Sequence, residues 1–235
     1  PRHSDLLPIM CLIAFAWRKH PRYRLVLAAN RDEFHSRASA PAQAWADISG
    51  VHGGRDLEKG GSWLLATEND RIAAVTNVRN ASESADPDWR SRGELVLDFV
   101  RATQRPSDWL AELSLRAAAY GPFNLLLGAN EELHFASNRP RYRHRPLKPG
   151  VHALSNGDLD APWPKSLRLR DAIAAWIEMD ASMDDWPPVQ KLFTALSDTR
   201  EAPDAQLPRT NVPMELERRL SAATRAWASV RTVQL

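Results

Sequence analysis

The chain predicts an α+β fold with mainly antiparallel sheet, and three observations predict it. Short apolar runs come in pairs separated by short polar turns, which is the mark of hairpins. Most of these runs lie beside one another instead of alternating with helices, so a repeated βαβ plan is absent. Segments with a helical apolar period are grouped apart from them. Two such sheets, each covered by helices on its outer face, make a four-layer αββα sandwich.

The elements follow in chain order. LIAFAW (12–17), a turn at Arg18–Arg22 containing Pro21, and YRLVLAAN (23–30) form a first hairpin. Centred near His20–Pro21, it pairs positions whose numbers sum to about 41, which sets Cys11 across from Asn30 and Arg31. SWLLAT (62–67) and RIAAVTN (71–77) form a second hairpin. NLLLGA (124–129) and ELHFASN (132–138) form a third, and GVHALSN (150–156) is a further strand. GELVLDFVRAT (93–103) aligns Leu95, Val96, Phe99 and Val100 on one helix face. SDWLAELSLRAAAY (107–120) opens with Ser107 as an N-cap ahead of Leu110, Leu113 and Ala117. Helical segments are also expected at 166–179, 189–198 and 215–228.

Composition bounds the function classes. The 235 residues, 43% apolar, suffice for one substantial core. A net charge of +2, with the basic residues spread along the chain, carries no argument for a nucleic-acid partner. No apolar run approaches the ~18 residues of a membrane span, so no integral membrane segment is expected. One cysteine cannot form an internal disulfide, and a cytoplasmic location is the default expectation. The seven His show no metal-ligand spacing, so no metal site is expected. The nine Trp read as core, and the Gly53-Gly54 and Gly60-Gly61 pairs as turn glycines without phosphate-loop spacing.

Chemistry concentrates at Cys11. A reading frame does not begin with Pro, so residues 1–9 read as an N-terminal extension and 10–235 as one domain, with Met10 as initiator. A Met before a small residue is removed after synthesis, which leaves Cys11 with a free α-amine. That amine, with a pKa of about 7.7–8, can take the proton of a thiol whose own pKa is about 8.5. Asn30-Arg31-Asp32-Glu33 follow the second strand and, by the hairpin register, lie beside Cys11. Asp32 or Glu33 can orient the ammonium form, and Arg31 can lower the thiol pKa or bind a substrate carboxylate. Asn77 and Asn156 each end an apolar strand and are paired candidates for an oxyanion hole. Ordinary alternatives stand beside these. A lone Cys is usually a small core residue, a strand-end Asn is usually a turn residue, and a polar quartet after a strand is often plain loop.

The motifs resemble one family. Met-Cys-Leu-Ile and Ala-Asn-Arg-Asp-Glu-Phe, with GGRDLEKGGSWL (53–64), AAVTNVRN (73–80), SRGELVLDF (91–99), GPFNLLLG (121–128) and GVHALSNGDLDAPWPK (150–165), look like the NRDE, or transport and Golgi organisation protein 2, family. The resemblance runs through nearly the whole chain from Met10. That family is similar to Ntn hydrolases of the penicillin V acylase, bile-salt hydrolase and acid ceramidase type, which implies an Ntn-hydrolase-like αββα sandwich. The resemblance implies a nucleophilic Cys11, an oxyanion residue at Asn156 and substrate-binding roles for Arg79 and Trp163. The relatives' Arg-Asn-x-Asp segment is here Asn30-Arg31-Asp32-Glu33, with Asn30 where they carry Arg. SVRTVQL (229–235) lacks their Gly-Thr-Arg-Ser-Ser-Thr stretch, and Arg231 is the candidate to replace a site Arg.

Two functions are carried forward. The first is an N-terminal-cysteine hydrolase of linear amides, acting on a small-molecule amide or acyl substrate without cofactor. The second, implied by the resemblance, is a non-enzymatic haem or acyl-lipid carrier on the same fold. A protein-interaction module with a vestigial site is a third alternative.

Overall fold

The computed structural model describes residues 10–33, 37–80, 82, 86–180, 188–224 and 230–234. It is an α+β structure with two antiparallel sheets. The chain divides into two compact units. One holds the described residues of 1–35, 79–82 and 151–235, and the other those of 36–78 and 83–150.

The first unit is built on a sheet of order β10-β1-β2-β11. Its strands are β1 Met10–Trp17, β2 Leu25–Asp32, β10 Gly150–Leu154 and β11 Val230–Gln234. The β1–β2 hairpin pairs Cys11 with Arg31, one residue from the expected register. β2 runs two residues further than expected, so Arg31 and Asp32 belong to the strand and not to a loop. Helices α3 Pro164–Asp180 and α4 Gln190–Leu196 pack on β1 and β2. Leu12, Ala14, Ala16, Val26 and Ala28 meet Leu169, Ile173, Trp176, Leu192 and Leu196 in this core. The alternate residues Ile13, Phe15, Leu27 and Ala29 are fully buried as well. Both faces of these strands therefore avoid water, which is why LIAFAW shows no polar alternation. Trp176 is the largest side chain of this core, and Trp176→Ala is expected to cost about 3–5 kcal/mol, read from the urea midpoint.

The second unit is a sheet of order β3-β4-β5-β6-β7-β8-β9. Its strands are β3 Ser39–Ala44, β4 Val51–Asp56, β5 Leu64–Thr67, β6 Ile72–Asn77, β7 Phe123–Ala129, β8 Glu132–Ser137 and β9 Arg143–Pro146. Helices α1 Arg92–Arg101 and α2 Pro106–Leu113 pack on β5–β6 and on β7–β9. Each unit is thus an antiparallel sheet with helices packed on it.

Several boundaries differ from expectation. α2 starts at Pro106, with Arg105 at the cap, so Ser107 lies inside the helix and caps nothing. Proline's fixed φ and missing N–H suit the first helical position better than a serine hydroxyl does. The helix expected over 215–228 is α5 Met214–Arg219; residues 225–228 lie outside the described residues, and β11 follows. β3, β4, β9 and β11 were not anticipated. Gly53 is not a turn residue but part of β4, where a Cβ would fall 2.4 Å from the Leu64 carbonyl oxygen.

Candidate active site

The register of β1 and β2 decides which residues share a face. Leu12, Ala14 and Ala16 face the helices, so Cys11 faces the other way, with its cross-strand partner Arg31 beside it. The Arg31 guanidinium is held by Glu33, Nη2 to Oε2 at 2.8 Å, and both side chains are nearly buried. Cys11 itself is 5% exposed. Cys11, Arg31 and Glu33 are therefore brought together much as the hairpin argument expected.

Asn30 is not among them. It pairs with Leu12 and so faces the helices. Its Nδ2 donates to the carbonyls of Leu196 at 2.6 Å and Ala223 at 2.8 Å, tying the end of α4 and the segment after α5 to β2. Asn30→Asp tests this: an acceptor-only carboxylate would then face two carbonyl oxygens. The expected loss is about 3 kcal/mol at neutral pH. The buried carboxyl would have a raised pKa, so the loss should shrink as pH falls and grow as pH rises, followed by thermal unfolding across pH. Asp32, two residues on, is the cross-strand partner of Met10 and is buried.

Asn156 stands at the Cys11 backbone. The strand expected over 150–156 ends at Leu154, which frees Ser155, Asn156 and Gly157 to turn across the start of β1. The Cys11 N–H donates to Asn156 Oδ1 at 3.4 Å, and the Ser155 hydroxyl donates to the Cys11 carbonyl at 2.7 Å. Asn156 Oδ1 also accepts from Arg79 Nη2 at 3.3 Å, and the Arg79 N–H donates to the Asn156 carbonyl at 2.7 Å. Backbone N–H and guanidinium can only donate, so the side-chain oxygen must be the atom that faces Cys11.

Arg79 has partners on both terminal nitrogens of its guanidinium inside the unit. Its Nη1 donates to Glu217 Oε2 at 2.7 Å, and both side chains are 2% exposed. The other Glu217 oxygen accepts from the Thr210 hydroxyl. The guanidinium lies 5.0 Å from the centroid of the Trp163 ring. Gly157 makes room for that ring, since a Cβ there would stand 2.7 Å from Trp163 Cζ2. Beyond Trp163, Lys165 is 1% exposed with Nζ at 3.4 Å from Met10 Sδ.

Asn77 ends β6 in the second unit, opposite Phe123. Arg231 pairs with Asn30 through the β11 backbone. Ser155, Glu217 and Lys165 were not anticipated as site residues. Ser155 and Lys165 sit inside quoted motifs, and the signal for Glu217 is an acid three residues before Leu220 on the buried side of α5. No group of three His, Cys, Asp or Glu able to hold a metal occurs among the described residues. None of the described helices is long and apolar enough to cross a membrane.

Comparison with known proteins adds the following. The family model described as Transport and Golgi organisation 2 matches residues 10–231. The chain is similar to the Transport and Golgi organization 2 homolog of Mus musculus, with 32% identity over 211 residues, covering 85% of this chain and 74% of that protein. The Homo sapiens homolog is 32% identical over 213 residues with the same coverage. The Drosophila melanogaster Transport and Golgi organization protein 2 is 35% identical over 127 residues, 50% of this chain and 45% of that protein. Among solved structures, a Caenorhabditis elegans N-acylethanolamine-hydrolyzing acid amidase ortholog aligns with a TM-score of 0.43 and 13% identity, covering 80% of this chain and 86% of that one.

Proposed function

This chain belongs to the Transport and Golgi organisation 2 family, and on that premise we propose that it is an N-terminal-cysteine hydrolase of linear C–N amide bonds. The observation that carries the reading is the Asn156 side-chain oxygen aimed at the Cys11 nitrogen, with Arg79 and Glu217 behind it. The acceptor is a buried side-chain oxygen that is itself held by an arginine, and in the chain that begins at Cys11 the same oxygen would face the α-amine.

The chemistry runs on Cys11 once Met10 is gone. Its α-amine keeps one N–H on Asn156 Oδ1, which turns the nitrogen lone pair toward Sγ. The amine takes the thiol proton, and Sγ attacks the substrate carbonyl. Arg31, on the same face as Cys11, offers positive charge to the thiolate and to the oxyanion. Glu33 fixes the direction of that guanidinium. The amine then returns its proton to the leaving nitrogen as the C–N bond breaks, and water cleaves the resulting thioester. Asn156 serves here as the orienting group for the base, and Arg79 with Trp163 and Glu217 holds Asn156.

The test compares two forms of the same chain on a panel of N-acyl amides. One is processed to begin at Cys11, its start checked by mass, and the other retains Met10. The processed form is expected to release amine and to label at Cys11 with a thiol probe at neutral pH. Equal rates for the two forms would refute an α-amine base.

A further inference from the structure

We propose that Ser155 is a positioning residue of the Cys11 nucleophile, its hydroxyl pinning the Cys11 carbonyl so that the α-amine stays between Asn156 and Sγ; this rests on the amide-hydrolase reading. The observation is a pair of contacts on one backbone residue. The Ser155 hydroxyl donates to the Cys11 carbonyl at 2.7 Å, and the Cys11 N–H donates to Asn156 Oδ1 at 3.4 Å. In a strand the N–H and C=O of one residue point to the same side, toward a neighbouring strand. β10 neighbours β1 but ends at Leu154. Past that end two side chains take the ladder positions, Ser155 as the donor and Asn156 as the acceptor. Both are buried, as is Cys11.

The two distances decide which contact is the anchor. At 3.4 Å an N–H···O bond is long and weak, whereas 2.7 Å is the favoured length of an O–H···O bond. The Ser155 hydroxyl also lies 3.3 Å from Asn156 Oδ1. It has one proton, and the shorter contact takes it, which leaves Oδ1 to the Cys11 and Arg79 nitrogens. The segment that carries both side chains is itself fixed. The Arg79 N–H donates to the Asn156 carbonyl at 2.7 Å. Asp160 closes the turn, donating its N–H to the Ala153 carbonyl at 2.8 Å and accepting the Ala153 N–H on Oδ1 at 2.9 Å.

Departure of Met10 makes the anchor matter. With Met10 in place, the planar 10–11 peptide helps to fix the Cys11 nitrogen. Once that plane is gone, the amine can swing about the Cα–C bond, and its long contact to Asn156 is a weak restraint. The hydroxyl fixes the 11–12 peptide plane from which Cα and the amine project. The amine then keeps one N–H on Asn156 and its lone pair toward Sγ. Ser155 moves no proton and touches no substrate; it acts through Cys11.

The experiment compares wild type and Ser155→Ala, each in the chain that begins at Cys11 and in the chain that retains Met10. Alkylation of Cys11 by iodoacetamide is followed across pH, with the label located by mass, and hydrolysis is followed on N-acyl p-nitroanilides. In the chain that begins at Cys11, Ser155→Ala is expected to lower kcat about tenfold with KM changed by less than about twofold, and to slow alkylation at neutral pH by a similar factor. In the Met10-bearing chain there is no amine to position, and the same substitution leaves alkylation unchanged. Ser155→Thr, which keeps the hydroxyl, recovers most of the lost rate. If Ser155→Ala does not fold, Ser155→Cys, a weaker donor of similar size, is read by the same two measurements. A loss of equal size in both chains makes Ser155 a packing residue and overturns the proposal. Slowed alkylation confined to the processed chain upholds it even where no anilide is cleaved. Equal alkylation of the two wild-type chains with no anilide cleaved removes the amide-hydrolase reading and the proposal with it. Hydrolysis by the wild type that Ser155→Ala leaves untouched removes the proposal alone.

Discussion

Cys11→Ala, made in the chain that begins at residue 11, is expected to reduce amide hydrolysis by about 10⁴-fold or more, since loss of a covalent nucleophile leaves only binding and oxyanion stabilisation. The fold should survive. Cys11 is buried, but its neighbours on that strand are apolar or paired, and removing one sulfur atom leaves a small void worth on the order of 1 kcal/mol. Thermal unfolding measured beside the rate separates the two effects. Retaining Met10 on the wild-type chain should reproduce the loss with the thiol intact, because the backbone nitrogen is then an amide with no basic lone pair. A retained-Met10 chain that turns over as fast as the processed one would sink the role assigned to the amine, whatever Cys11→Ala does.

Glu217→Ala should be the most destabilising single change in the site. It removes the counter-ion of a guanidinium that is 2% exposed and leaves that charge buried. Breaking one side of such a pair typically costs about 3–5 kcal/mol. For a chain of this length that is a fall of on the order of 10 °C in the unfolding midpoint. The same change loosens Arg79 Nη2 on Asn156 Oδ1, and with it the acceptor that faces the Cys11 nitrogen. The double variant Arg79→Met with Glu217→Leu removes both charges together and should recover most of the stability. It should not recover hydrolysis, because Asn156 Oδ1 still lacks the Arg79 guanidinium that backs it. Recovery of stability and activity together would reduce the pair to packing.

The first hairpin was legible from residues alone. An apolar run, a Pro-bearing turn and a second apolar run specify antiparallel neighbours, and the midpoint sets the register to within one residue. That was enough to bring Cys11 to Arg31. It was not enough to separate Asn30 from them. A shift of one residue moves a side chain to the opposite face, and the observed register turns Asn30 toward the carbonyls of Leu196 and Ala223. The edge strand β3 was hidden because SAPAQA is short and almost entirely exposed, so no burial pattern marks it. Glu217 was hidden for another reason. Its partner Arg79 is 138 residues away, and local periodicity carries no information about contacts of that span.

What the sequence by itself determined is the strand and helix inventory around Cys11, the family motifs and the approach of Cys11 to Arg31. These depend on local apolar periodicity and on a short turn, both of which are written in consecutive residues. Only the tertiary structure decided which way Asn156 points, that Arg79 belongs to Glu217 inside the unit, and that Lys165 lies against Met10. Each of these joins distant segments through a charged or polar atom shielded from water, and burial of that kind is a property of the packed whole.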